Sequence, residues 1–476
     1  MRGDCGSSVS LFIRTPLIDT NPWRPDSMND YTLPSDAVRC KTAAPSILAR
    51  LCRKAVLARL GKIQRGELTV IEGRERLRFG QITPDCPLAA SITVHDPRCY
   101  LDVALGASIG FGRSYMDGAW SSHDLTTLGR VFLSNLDVLD GFDAGLARLL
   151  APLFKLGHAL RRNTRAGSRD NILAHYDLGN EFFATFLDET MMYSCAHFEH
   201  ESLSLSEASA AKNDRICRKL GLAPADHVLE IGTGWGGFAV HAATRYGCRV
   251  TTTTISPQQY AFATRRVKEK GLDDRITVLL RDYRDLTGQY DKLVSIEMVE
   301  AVGHHYLDSY LQRCSRLLTP KGLMLIQAIT VTDQRYDYVR RSVDFIKQFI
   351  FPGSCLPSVT RFSDALTRAT DMRLLDLEDI TAHYPLTLRR WCERFLDNLP
   401  RVRALGYPDS FIRMWELYLR YCEAGFMEQV VMPLLKQRNP TARQQAAENL
   451  GELARLGEQL RSALLRGALR DHTDLR

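Results

Sequence analysis

The sequence predicts an α/β fold built on a Rossmann-like parallel sheet, with helical insertions over the substrate side and a small α+β domain ahead of it. Three observations carry that prediction. Residues 226–243 pass from an apolar run through an acidic residue and three alternating glycines into a helical pattern. Four more aliphatic or β-branched runs follow, separated by helix-like stretches, which is the rhythm of parallel strands joined by crossover helices. Residues 47–95 instead combine one helical pattern with two alternating, strand-like segments.

In the first of these stretches, Val228, Leu229 and Ile231 suit a strand buried on both faces, and Phe238, Ala239, Ala242 and Ala243 recur at helical spacing. Gly232, Gly234 and Gly236 permit positive φ and let the backbone approach a ligand. Glycines opening a helix would equally hold a dinucleotide pyrophosphate. Glu230 separates the two cases. A carboxylate beside the first glycine repels a pyrophosphate but accepts hydrogen bonds from the ammonium of an amino-acid-bearing cofactor such as S-adenosylmethionine.

The repeat then continues. Arg249 to Ile255 reads as the second strand, with a helix from Pro257 to about Lys270. Ile276–Leu280 is the third strand and runs into Asp282 and Tyr283; Tyr290–Ile296 is the fourth and runs into Glu297 and Glu300; Gly322–Thr330 is the fifth. Ligands of an open parallel sheet sit at the carboxyl ends of its strands, so Gly232, Ile255, Asp282, Glu297, Glu300 and Gln327 should converge. Residues 331–436 are rich in aromatics such as Phe345, Tyr384, Trp391 and Trp415, suited to core packing and to lining a tunnel for a long apolar substrate.

Flanking regions are less specific. Residues 1–44 read as a disordered leader, 45–165 as the small domain, 166–436 as the catalytic domain and 437–476 as an amphipathic helix. The helix beginning at Ile47 carries Arg50, Arg53, Lys54 and Arg59, which fits a solvated basic face or a membrane-surface helix. Arg161, Arg162, Arg165 and Arg169 form a basic connector, either a solvated linker or a contact for phosphates. The dense aromatics of residues 175–198 fit a lid over an apolar pocket or ordinary helix packing. The C-terminal helix, with Leu450, Leu453, Leu456, Leu460 and Leu464, suits docking on its own protein or on a second subunit better than on a membrane.

Composition narrows the classes. A net charge of +7 over 476 residues is too mild to establish a nucleic-acid or membrane partner, though it is compatible with an anionic lipid surface; no nucleic-acid partner is expected. No apolar run approaches the roughly 18 residues that span a bilayer, and no signal peptide is evident, so a cytoplasmic location is expected. Twelve scattered cysteines point to reduced, packed thiols, and none of them has zinc-ligand spacing.

Several motifs occur together and in order: His175-Tyr-Asp-Leu-Gly-Asn180, Met192-Tyr-Ser-Cys-Ala196, Leu229-Glu-Ile-Gly-Thr-Gly-Trp-Gly236, Asp282-Tyr-Arg-Asp285, Phe351-Pro352 with Leu356-Pro357, and Tyr421-Cys-Glu-Ala-Gly-Phe426. Across most of residues 45–436 the chain resembles the cyclopropane-fatty-acyl-phospholipid synthase family, which includes the mycolic acid cyclopropane synthases. The resemblance implies a class I S-adenosylmethionine-dependent methyltransferase fold. It implies that Tyr193, Ser194, Gly232, Gly234, Thr254, Ile255, Gln259 and Tyr283 border the cofactor, with Glu230, Gly236 and Asp282 in the same region. Gln259 suits a ribose hydroxyl and Tyr283 the adenine. It further implies that Cys195, chiefly through its backbone N–H, Glu300 and Tyr384 surround a bicarbonate ion serving as base.

Two positions depart from the family pattern. Gln327 stands where a histidine is usual, and Glu297 where a glycine is usual. The expectation is that the Glu297 carboxylate takes over the bicarbonate position with Gln327 donating to it; the alternative is that Glu297 points elsewhere and bicarbonate still binds. The resemblance implies methylene transfer to the cis double bond of a phospholipid acyl chain at the inner membrane surface, with no metal. A methyl-branched chain, a methylated small amine, or a lipid-binding module with a decayed site are the competing expectations.

Overall fold

The computed structural model describes residues 47–143 and 178–429. The leader, the basic connector, part of the His175–Asn180 motif and the C-terminal helix lie outside the described residues.

The chain begins with α1 (Ile47–Leu60), β1 (Gly66–Glu72), β2 (Glu75–Gln81), β3 (Ala89–Val94), α2 (Cys99–Met116), β4 (Trp120–Ser121), α3 (Leu125–Leu133) and α4 (Leu136–Asp143). The four strands make one sheet in the order β2-β1-β3-β4. A hairpin turning at Gly73, whose φ of 54° favours glycine, joins β1 to β2. Strand β2 was not expected from sequence: only Leu77 and Phe79 interrupt its polar residues, and both faces stay largely open. β1 and β3 pair in parallel.

The larger part follows: α5 (Asn180–Phe183), α6 (Leu205–Leu220), β5 (His227–Ile231), α7 (Gly237–Tyr246), β6 (Arg249–Thr254), α8 (Pro257–Glu269), β7 (Ile276–Leu280), β8 (Tyr290–Ile296), α9 (Leu307–Leu317), β9 (Leu318–Gln327), α10 (Asp333–Arg341), α11 (Val359–Ala369), α12 (Tyr384–Asp397), α13 (Leu399–Ala404) and α14 (Asp409–Met427). Its sheet has the order β7-β6-β5-β8-β9. All pairs are parallel. The five strands are those expected, except that the last begins four residues earlier, at Leu318 rather than Gly322.

Alternation along the strands feeds two cores. Val228, Val250 and Val294 pack with Phe238, Ala242 and Ile216 on one face. Leu229, Ile231 and Leu293 pack with Tyr310, Leu311 and Leu317 on the other. Burial on both faces explains why consecutive residues, Val228 and Leu229 in β5 and Leu293 and Val294 in β8, are both apolar. Strand order reverses between β5 and β8, and a crevice opens there at their carboxyl ends.

Helix α14 carries Phe411, Trp415 and Tyr418 into an aromatic cluster with Phe182, Phe183, Phe186, Tyr193 and Trp391. Its far side binds the N-terminal layer. Thr126 of α3 donates to the buried Glu423 at 2.8 Å and Arg130 pairs with Glu428 at 2.8 Å; Arg335 of α10 adds a separate pairing with Asp140 of α4 at 2.9 Å.

Candidate active site

A cavity of about 570 Å³ occupies the crevice. Tyr193, Ser194, Glu230, Gly232, Gly234, Thr254, Ile255, Gln259, Asp282 and Tyr283 border it, as do Glu297, Glu300 and Tyr384. Gln327 and Cys195 stand behind Glu297. Gly236 does not border the cavity; with φ 83° it N-caps α7 and packs against Ala263.

The residues of the glycine loop fit an amino-acid cofactor. Glu230 is buried, and among the described residues its carboxyl accepts a hydrogen bond only from the Thr252 hydroxyl, at 2.6 Å. Burial pushes it up to about 8. An ammonium group brought beside it would restore the charged form. A side chain at Gly234 would meet nothing within 4 Å, so the loop leaves open space where a ligand approaches. Gln259 spends its acceptor on the Thr254 hydroxyl at 2.8 Å, which leaves its amide hydrogens for a hydroxyl partner. Tyr283 is held edge-on by Tyr310, with ring centroids 5.2 Å apart, and presents an aromatic wall. Asp282 is engaged by Arg284 at 2.6 Å.

Beyond the loop lies the acid-base cluster. Glu297 follows β8, and its backbone N–H continues the ladder to the Gln327 carbonyl at 2.8 Å. Its φ is 46°, in the left-handed region where a glycine costs nothing and a side chain about 1–3 kcal/mol. That strain is offset by hydrogen bonds. Oε1 accepts from the Cys195 backbone N–H and from the Gln327 amide, each at 2.9 Å, and Oε2 accepts from the Tyr384 hydroxyl at 2.6 Å. The two departures from the family pattern are therefore direct neighbours. Burial raises the Glu297 carboxyl, and the three donors and Lys212 oppose the rise. Cys195 supplies only its N–H: burial and Glu297 hold its thiol far up, and Sγ donates to the Ala196 carbonyl.

Glu300 sits one 3-10 turn further on. One of its oxygens accepts from the Ile329 N–H, and the other, buried, has no hydrogen-bond partner among the described residues. Burial and then the Glu297 charge raise it from 4.5 to about 8. A carboxyl raised in the folded state favours folding below its unfolded value and loses that contribution as pH rises through about 8. Glu300→Gln, which cannot ionise, should therefore leave stability unchanged near pH 5 and raise it by on the order of 2 kcal/mol above pH 8. Thermal melts across pH check this; equal melting temperatures at alkaline pH would contradict it.

Lys212 was missed in the sequence. It sits on the apolar stripe of α6 with Leu205, Ala208 and Ile216, and a charge on such a stripe is the signal that could have found it. It is 2 % exposed and donates to the Ser194 hydroxyl at 3.0 Å, with no carboxylate of the described residues in ion-pair range. Burial lowers it to about 8, while Glu297, Cys195, Asp188 and Glu230 pull it back up. Its charge thus favours ionised Glu297. Lys212→Met should shift the acidic limb of the rate-versus-pH curve upward by about one unit; an unmoved limb with lowered rate would reduce Lys212 to a packing role.

Comparison with known proteins gives the family. The sequence model of the family described as mycolic acid cyclopropane synthetase matches residues 163–433. The chain belongs to that family. It is 40% identical over 348 residues to the tuberculostearic acid methyltransferase UfaA1 of Mycobacterium tuberculosis, covering 71% of this chain and 81% of that protein. It is 37% identical over 340 residues to the cyclopropane-fatty-acyl-phospholipid synthase of Escherichia coli, covering 71% of this chain and 84% of that one. The crystal structure of mycolic acid cyclopropane synthase CmaA1 complexed with SAH and CTAB aligns with TM-score 0.51 at 30% identity, over 55% of this chain and 94% of that one. The protein is accordingly an S-adenosylmethionine-dependent transferase with a class I methyltransferase fold, of the lipid-modifying, cyclopropane synthase type. The reading as a binding module without activity is set aside. Among the described residues no helix is long and apolar enough to cross a membrane.

Proposed function

We propose that this enzyme transfers one carbon from S-adenosylmethionine to the cis double bond of a phospholipid acyl chain and closes it into a cyclopropane ring, with Glu297 as a built-in base. The observation that carries the reading is the Glu297 carboxylate, held by the Cys195 N–H, Gln327 and Tyr384 beside the glycine loop.

Tyr193, Ser194, Glu230, Gly232, Gly234, Thr254, Ile255, Gln259, Asp282 and Tyr283 would hold the cofactor. When bound, S-adenosylmethionine supplies an electrophilic methyl: the alkene electron pair forms the new C–C bond as the C–S bond breaks, leaving S-adenosylhomocysteine and a cation on the acyl chain. Tyr193 and Tyr384, the latter stacked on Phe426 at 4.1 Å, present aromatic faces that stabilise positive charge. Glu297 then accepts a proton from the transferred methyl, and the released C–H electron pair closes the ring. The neighbouring Met298 side chain lies against Gly232, so the base directly precedes the residue that touches the donor loop. A base beside the new methyl takes its proton there. Glu300, mostly neutral at pH 7, keeps the pair at a single negative charge.

A second reading is favoured by the 40% identity to a protein named as a tuberculostearic acid methyltransferase. There the proton would leave a chain carbon next to the cation instead, its C–H electron pair forming a new double bond, and a methyl-branched, still unsaturated chain would result. The two products share a mass but not a proton spectrum. Incubation with S-adenosylmethionine and unsaturated phospholipid vesicles, followed by NMR of the recovered chains, should give upfield ring protons and no alkene; vinyl signals would establish the second reading. Contact with the membrane surface is supported by α1, where Ile47, Leu48 and Leu51 are 72%, 54% and 60% exposed beside Arg50 and Lys54. The same assay with and without anionic lipid reads that contact; a rate indifferent to anionic lipid counts against it.

A further inference from the structure

The cavity does not end at the acid-base cluster. It continues between α1, α2, α3 and the small sheet, where Leu60, Val70, Ile92, Phe111 and Leu128 wall it. None of these residues falls in the region that the family model matches, which begins at residue 163.

Well-packed interiors seldom leave voids larger than a water molecule, and an apolar void of this kind stays dry until an apolar ligand fills it. Two features build the void into the fold. Helix α2 is broken at Ala107, whose φ of 46° and ψ of −124° are not helical, and Ala107 borders the cavity. The break is tight: a side chain at Gly110 would lie 1.8 Å from the Asp102 carbonyl oxygen. A Cβ-bearing residue in that conformation persists only where its surroundings enforce it, and such residues gather at ligand sites. The second feature is the close docking of this layer. Phe345 packs on Gly112 so closely that a side chain there would meet its ring at 2.3 Å, and Gly129 lies against Ala424 of α14. With the Thr126–Glu423, Arg130–Glu428 and Arg335–Asp140 contacts, the layer is clamped around the space.

We infer that the N-terminal layer is the binding site for the methyl-terminal end of the acyl chain, and that it sets which chain lengths are accepted. The inference rests on the acyl-lipid reading above. With the double bond at Glu297 and the headgroup end outside, the carbons beyond the double bond run into the space walled by Val70, Ile92 and Leu128.

The test uses the full chain and phospholipids whose double bond lies at a fixed distance from the carboxyl carbon while the number of carbons beyond it varies. Val70→Phe and Leu128→Phe shorten the space; Val70→Ala and Leu128→Ala lengthen it. For the Phe variants, kcat/KM for the longest chain relative to the shortest should fall roughly tenfold, with S-adenosylmethionine binding and melting temperature retained. The Ala variants should move the preference toward longer chains, which keeps the test open if a Phe variant misfolds. Folded variants of both kinds whose rates change equally for every chain length, or not at all, overturn the inference. Absence of transfer by the wild type to any lipid would instead overturn the acyl-lipid reading itself.

Discussion

Glu297→Gln should lower kcat by about 10²–10⁴ while leaving S-adenosylmethionine affinity within about threefold of wild type. The amide keeps the shape of the carboxyl group but cannot accept a proton. The Glu297 carboxyl is hydrogen-bonded by Cys195, Gln327 and Tyr384, none of which is among the groups proposed to hold the cofactor, so binding should survive. Glu297→Gly makes a sharper test. Glycine accepts the left-handed backbone without strain, and removing the carboxylate frees the Cys195 N–H, the Gln327 amide and the Tyr384 hydroxyl for an added anion. This variant should be inactive in bicarbonate-free buffer and regain activity as bicarbonate is added. Initial rates over a bicarbonate series check it, and a variant that stays inactive at every concentration would argue against an exchangeable base site.

The largest expected stability effect lies away from the chemistry. Glu423 is 1% exposed, and its carboxylate is held by Arg389 at 2.9 Å, Arg420 at 3.1 Å and the Thr126 hydroxyl at 2.8 Å. Glu423→Ala removes the shared partner of two arginines and the main polar tie between α3 and α14, and it leaves a void. The expected cost is about 3 kcal/mol, read as a lowered denaturation midpoint. Because Gly129 and Ala424 meet in the same seam, the variant should also loosen the wall of the apolar space, so that acyl-chain length selectivity flattens along with stability. A midpoint within error of wild type would show that the seam contributes little.

The sheet and its carboxyl-end convergence were legible because both follow from local rules. The aliphatic or β-branched runs around Val228, Val250 and Val294 report buried strands, and Gly232 to Gly236 report a loop that must approach a ligand. Glu297 and Gln327 were legible only as departures from a pattern. Their contact becomes visible once β8 and β9 are in register, with Ile296 opposite Gln327. Strand β2 escaped notice because an edge strand open on both faces carries no hydrophobic alternation to speak of. Lys212 escaped because a lysine in a helix reads as a solvated residue until its neighbours on the stripe are considered. The continuation of the cavity into the N-terminal layer had no sequence signature at all: Leu60, Val70, Ile92 and Leu128 look the same whether they face a packed core or an empty space.

The most direct test of a built-in base is the initial rate of acyl-chain conversion by wild-type enzyme in buffer and vesicles stripped of carbon dioxide and bicarbonate, against the same mixture with bicarbonate restored. A carboxylate fixed by three donors needs no exchangeable ion, so the two rates should agree. A rate that collapses on depletion and returns with bicarbonate would contradict the assignment of Glu297 as the base.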